Sequence, residues 1–181
     1  MTLRSFITSV TALVTLSTSA MSFDYPKNTL IYEGAVGTTK VKITGSARPF
    51  ARKAHKTTEL RNVGTDGKEE SKSATVDGRR VVGTDMTLPE DGLPQLSNLT
   101  VWFGDIKVSV PDKHLHHVFL PWLQPATFTS ETIDTLVAFS ADGKAVYLSL
   151  AVGDGGGAGT YGWIIRSDGT VSSAPIQRPE P

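Results

Sequence analysis

A mainly β fold is what this sequence predicts: one antiparallel β-sandwich or β-roll-like domain with a single short helix. Three observations carry that expectation. Six Asp-Gly pairs punctuate the chain, at Asp66-Gly67, Asp77-Gly78, Asp91-Gly92, Asp142-Gly143, Asp154-Gly155 and Asp168-Gly169. Asp and Gly tolerate the positive φ of tight hairpin turns. Between the pairs lie runs of β-branched and aromatic residues, the composition of strands. Helical spacing of apolar residues appears in one short stretch only.

In chain order, residues 28–33 and 38–44 make the first strand pair, with Val41 and Ile43 inward. Residues 51–80 are polar, with Leu60, Val63 and Val76 their only large aliphatics. So little apolar area offsets ordering poorly, and this arm reads equally as an exposed hairpin or a mobile loop. The clearest hairpin runs through 99–103, the turn Gly104-Asp105, and 106–110. Its second arm alternates Ile106, Val108 and Val110 with Lys107 and Ser109, so one face is wet.

Residues 111–123 are the helix candidate. Pro111 suits a first helical turn and Pro121 limits the far end. Leu115, Val118, Phe119 and Trp122 share a helical face. Residues 132–140 and 144–152 flank Ala141-Asp142-Gly143 and are apolar enough to be central strands. Residues 160–166 follow, with Tyr161, Trp163 and Ile165 on one side, and 170–173 form a last short strand. The expected core is Val101, Phe103, Ile106, Val108, Phe119, Leu136, Phe139, Val146, Leu148, Leu150, Trp163 and Ile165. The segment from Ala138 to Lys144 resembles hairpins of propeller blades, but no second copy recurs at the forty-residue period a propeller needs.

The first twenty-two residues read as a secretory signal peptide: basic Arg4, an apolar run from Phe6 to Leu16, then small residues through Ser22. The run is short for a bilayer core of about 30 Å. The organisation expected is a signal peptide at 1–22, one β-rich domain at 23–173, and a disordered tail at 174–181. About 160 residues suffice for one core. The precursor carries 18 basic and 18 acidic residues, so losing Arg4 leaves a net charge of −1. No global field favours nucleic acid. The cysteine count is zero, which removes disulfides, thiol catalysis and thiolate metal sites.

Candidate site residues fall in three groups. Asp154, Gly155, Gly156 and Gly157 form a glycine-rich loop that lets other groups approach closely. Its match to the dinucleotide pattern is undercut by the strand that follows, since that motif needs a helix there; no cofactor is expected. Arg48, Arg52 and Lys53 sit in a basic run over 40–56 without an acid, suited to an anionic partner. His114 and His117 would share a helical face at a spacing that can grip a metal, with His116 pointing elsewhere. A closed site needs about four protein ligands and a catalytic one about three. Any missing ligand would have to be His55 or a carboxylate brought in by the fold, and the sequence gives no sign of one, so a solvated face is the reading and no tight metal binding by His114, His116 and His117 is expected. No catalytic residue stands out, because neither a nucleophile elbow nor a zincin motif occurs.

The expected function is therefore that of an exported, periplasmic or secreted, non-enzymatic binding or accessory module. Its partner would be an envelope protein or an anionic glycan, with neither nucleic acid nor a membrane span. The alternative is a secreted hydrolase or metal-dependent enzyme using His114 or His117. Export predicts a mature N-terminus at Phe23, or at Met21 for the earlier cleavage position. Mass spectrometry of the envelope fraction reads this directly, and an intact Met1 found in the cytosol would refute it.

Overall fold

A computed structural model describes residues 29–63, 69–85, 87–121, 123, 135–153 and 158–176. Residues 1–28, with the expected signal peptide and cleavage position, the Asp154–Gly157 loop and residues 177–181 lie outside the described residues. The fold is mainly β, with eleven strands in three antiparallel sheets among the described residues.

The first sheet has the order β1-β2-β6-β7, from Thr29–Val36, Thr39–Pro49, Pro94–Phe103 and Ile106–Ser109. The second has the order β11-β10-β9-β8, from Val171–Ile176, Gly159–Arg166, Ala145–Val152 and Thr135–Phe139. Both send side chains into one apolar cluster. Val41, Ile43, Leu99 and Val101 come from the first sheet, and Val146, Leu148, Leu150, Trp163 and Ile165 from the second. With no cysteine to cross-link it, the domain rests on this burial and on its hydrogen bonds.

The third sheet, β3-β4-β5, resolves the polar arm as a hairpin: Thr57–Val63, Glu69–Val76 and Arg79–Arg80. Leu60 on it is exposed. Ala74 and Val76 at its base are buried in a second small cluster with Phe50, Val81 and Phe119. Few apolar residues are needed because only the base is packed.

Three expectations need correction. The short helix over 111–123 is a single 3-10 turn, Asp112–His114. Beyond it the chain straightens and pairs with Val82, Gln95 and Val152 through isolated bridges at Val118, Phe119 and Pro121. Histidine, valine and phenylalanine are middling helix formers, and Pro121 disfavours helical backbone at Leu120, which takes φ +47°. The sheet partners therefore win the backbone. Ile106 is 53% exposed, because the turn lifts it past the end of the core. The C-terminal strand runs to Ile176, since Ala174, Pro175 and Ile176 pair with Gly162, Tyr161 and Thr160. Of the remaining expected core residues, Phe139 is half-buried against the cluster, and the side chain of Leu136 lies outside the described residues.

Gly83 sits where the three sheets meet. Its φ is +90°, and a Cβ there would lie 2.1 Å from the Phe119 carbonyl oxygen and 3.2 Å from the Gly153 nitrogen. Gly92 has the same φ, +90°, with nothing within 4 Å of a Cβ. Gly92→Ala should therefore cost only the left-handed backbone penalty, roughly 1–2 kcal/mol. Gly83→Ala should exceed about 4 kcal/mol, the range reserved for severe packing faults. Urea unfolding of the two variants reads the difference, and equal losses would contradict this account of the junction.

Candidate functional site

The segment from His114 to His117 decides where the polar chemistry lies. The backbone N–H groups of His114 and Leu115 donate to Pro111 and Asp112, closing the 3-10 turn. Val82 N–H then donates to the His117 carbonyl, and Phe119 N–H returns to the Val82 carbonyl. Held this way, consecutive histidines point to different sides. His114 and His117 go one way, and His116 goes the other.

Among the described residues the metal-ligand cluster of three is His55, Asp77 and His116, which does not include His114 or His117. Each of those two finds its own hydroxyl partner. His114 Nδ1 shares a hydrogen bond of 2.8 Å with Ser173 Oγ, and His117 Nε2 shares one of 2.8 Å with Tyr161 Oη. Tyr161 Oη and Ser173 Oγ lie 3.1 Å apart and close the gap. The result is an unbroken line, His114–Ser173–Tyr161–His117. It is backed by Trp163, whose indole N–H donates to the His114 carbonyl at 3.1 Å and whose ring meets Tyr161 edge-on. Buried hydroxyls and imidazoles are costly without partners, and here each has one.

This line forms part of the wall of a cleft of about 950 Å³. Arg79 and Arg80, from the short β5, line the same cleft, as do Gly83 and Thr84. Arg79 makes no side-chain hydrogen bond or ion pair with the described residues. Its charge nonetheless reaches the line. Burial, with Arg79 as the next cause, holds His114 below its usual value. Burial, then Arg79, His114 and His116, pushes His117 down to about 4. Both imidazoles are therefore neutral near pH 7, and Arg79 supplies the positive charge.

His116 faces a different set. Asp77 sits in the turn between β4 and β5 at φ +53°. Its Oδ2 lies 2.7 Å from His55 Nδ1 and 3.7 Å from His116 Nδ1, and its Oδ1 accepts from Lys56 N–H. These bonds to His55 and Lys56 hold the Asp77 carboxyl below the usual range against the opposing effect of burial. Asp112 Oδ1 approaches His116 Nε2 at 3.6 Å. Gln95, fully buried, donates to the His116 carbonyl at 2.6 Å and lies 3.4 Å from His55 Nε2. Its Oε1 is left without a partner. Phe50 stacks on His55 at 5.2 Å.

Lys42 pairs with Glu33 across β1 and β2 at 2.8 Å. Arg52 is tied to the Pro89 carbonyl and, through its backbone, to Asp91. Arg48 and Lys53 are exposed on strand β2 and the Arg52–Ala54 turn. Asp154, Gly155, Gly156 and Gly157 lie outside the described residues, although Ala158 beside them reaches the cleft edge. Sequence reasoning missed Arg79, Tyr161, Ser173 and Asp77 as members of sites, and named His55 only as a ligand the fold would have to bring in. The one local signal was Asp77-Gly78, read there only as a turn.

The depressed pKa of His117 has a consequence for stability. The unfolded chain takes up a proton at about 6.5, and the folded one only near 4. The unfolded state therefore binds more protons across this window, and stability falls as pH falls through it. The loss should reach up to about 3 kcal/mol below pH 4. His117→Gln keeps a partner for Tyr161 and should flatten the slope between pH 6.5 and 4. Urea titrations at stepped pH measure it, and an unchanged slope in the variant would assign the effect elsewhere.

No known family model, curated protein or solved structure matches this chain, so its function is read from the chemistry of its own side chains.

Proposed function

We propose that this chain is an exported, non-enzymatic binding module whose ligand carries an oxyanion, an acidic glycan being the class that suits it. The supporting observation is the half-buried Arg79, without an ion-pair partner among the described residues, lining the same cleft as Tyr161 and Ser173. A guanidinium fork matches a carboxylate in two parallel bonds. Hydroxyls at the wall add directional bonds for a sugar. A volume of about 950 Å³ is that of an organic ligand rather than a bare ion. The leader-like first twenty-two residues support export. Among the described residues no helix is long and apolar enough to cross a membrane.

One observation favours a second reading. Ser173 Oγ at 2.8 Å from His114 Nδ1 has the spacing of a nucleophile and its base. Tyr161 bonded to the same oxygen competes for it, which is why binding is the preferred reading.

Calorimetry with digalacturonate tests the proposal, with maltose as the neutral control. Binding should weaken about 10- to 100-fold in Arg79→Met, the equivalent of one charged hydrogen bond of roughly 1.5–3 kcal/mol. Maltose should bind far more weakly than the acid. Equal affinity for maltose, or an Arg79→Met variant as good as the parent, overturns it. Turnover of p-nitrophenyl acetate that vanishes in Ser173→Ala would instead establish the hydrolase reading.

A further inference from the structure

We propose that His55, Asp77 and His116 form a binding site for a divalent first-row transition-metal ion, taken here as Zn²⁺, with one ring nitrogen from each histidine and one carboxylate oxygen as ligands. This site is separate from the Arg79 cleft. The two share only the 114–117 turn, and either can fail alone.

The geometry is the first support. The three residues come from three places: the end of the Arg52–Ala54 turn, the β4–β5 turn, and the segment after Asp112–His114. Their donor atoms all lie within 4.8 Å of one another. Two ligands on bonds of about 2.1 Å at a tetrahedral angle stand roughly 3.4 Å apart. The Asp77 Oδ2 distances to His55 Nδ1 and His116 Nδ1, 2.7 and 3.7 Å, bracket that value. An ion replacing the proton between His55 and Asp77 needs a shift of under about 1 Å. Two imidazoles and a carboxylate suit Zn²⁺, Ni²⁺ or Cu²⁺ rather than Ca²⁺ or Mg²⁺.

The groups behind the ligands are the second, independent support. A metal-bound histidine usually donates its other ring N–H to a carboxylate or carbonyl, which fixes its tautomer. Asp112 Oδ1, 3.6 Å from His116 Nε2, is the carboxylate nearest that place, slightly beyond hydrogen-bond distance. It favours a proton on Nε2 and so leaves the Nδ1 lone pair turned toward Asp77. On the other flank, Gln95 grips the His116 carbonyl and abuts His55 Nε2, holding the two ring-bearing segments at fixed separation. Phe50 covers one face of His55, whose side chain is only 5% exposed. Asp77 remains 40% exposed, so an ion has an entry path. Burial is the main reason His116 sits below its ordinary value; Arg48 and His55 add to this, while Asp112 and Asp77 oppose it. A neutral imidazole is the form that binds metal.

Three protein ligands leave a fourth position for water or a donor from another molecule, the arrangement of open rather than closed sites. The proton between His55 Nδ1 and Asp77 passes to the far ring nitrogen or is released to solvent as the ion takes its place, so no co-reactant enters the step.

The test is calorimetry of the tag-free mature chain with ZnCl₂ at pH 7, alongside the visible absorption of the Co²⁺ form. One equivalent should bind at micromolar concentration or tighter, with the intense bands of four-coordinate Co²⁺. His116→Ala should weaken binding at least 100-fold, and Asp77→Asn at least 10-fold while keeping the Lys56 contact and the turn. Asp112→Asn, a positioning change, should weaken binding less than His116→Ala but alter the Co²⁺ spectrum. His114→Gln should leave affinity unchanged. The apo melting temperature of Asp77→Asn in EDTA serves as the folding control. No binding at 100 µM Zn²⁺ overturns the proposal, as does binding that survives His116→Ala or is lost in His114→Gln.

Discussion

The path of residues 114–121 between the three sheets is the constraint on which the rest of the molecule depends. Val82 N–H donates to His117, Phe119 N–H to Val82, Leu96 N–H to Val118, Leu120 N–H to Pro94, and Gly153 N–H to Leu120. Five backbone bonds thus tie one irregular segment to the exit of the polar hairpin, to β6 and to the end of β9. A buried backbone must satisfy its donors and acceptors, and this segment does so by borrowing partners from every sheet. Leu115, Val118 and Phe119, with at most 1% exposure, then fill the space between. In a chain without disulfides, no covalent link duplicates that role.

The same constraint sorts the histidines. A helix would have put His114 and His117 on one face, one turn apart. The segment straightens after the 3-10 turn instead, yet His114 and His117 still turn to the same side, each to its own hydroxyl. His116 is delivered to Asp77 and His55 on the hairpin side. His114 and His117 are delivered to Ser173 and Tyr161 on the side of β10 and β11. One stretch of four residues therefore builds parts of two unrelated polar sites.

How far the sequence could be read follows from this. The hairpins at Gly104-Asp105 and Asp142-Gly143 were legible because turn chemistry and alternation are local signals; the register Phe103↔Ile106 follows directly, while Phe139↔Val146 leaves the second loop one residue longer than the turn signal alone implies. The inward set Tyr161, Trp163 and Ile165 was legible for the same reason. The 111–123 segment was not, because its apolar spacing matched a helix while its hydrogen-bond partners lie far off in sequence, at Val82, Pro94 and Gly153. The sites were legible least of all. His55 and Asp77 are 22 residues apart, His114 and Ser173 are 59 apart, and nothing local distinguishes them from solvated side chains. The four histidines were visible as candidates; their sorting into two groups is a property of the fold.

Proton counting links the buried line to the cleft it faces. His114, Ser173, Tyr161 and His117 are joined by three hydrogen bonds. The two hydroxyls bring two protons, and each neutral imidazole can present one N–H. If both rings turn their N–H into the line, four protons serve three bonds. The surplus falls to Ser173, the half-buried member at the cleft. His117 then donates to Tyr161, Tyr161 and His114 both donate to Ser173 Oγ, and the serine proton points outward to an acceptor. If one ring presents its lone pair instead, the three bonds consume three protons and the line closes on itself. An acceptor in the cleft selects the first arrangement with no charged histidine required. A donor in the cleft selects the second, in which Ser173 gives its proton to His114, accepts from Tyr161 and keeps one lone pair open. The line can therefore answer either kind of ligand by a change of tautomer, and any bias toward an anion comes from the charge of Arg79.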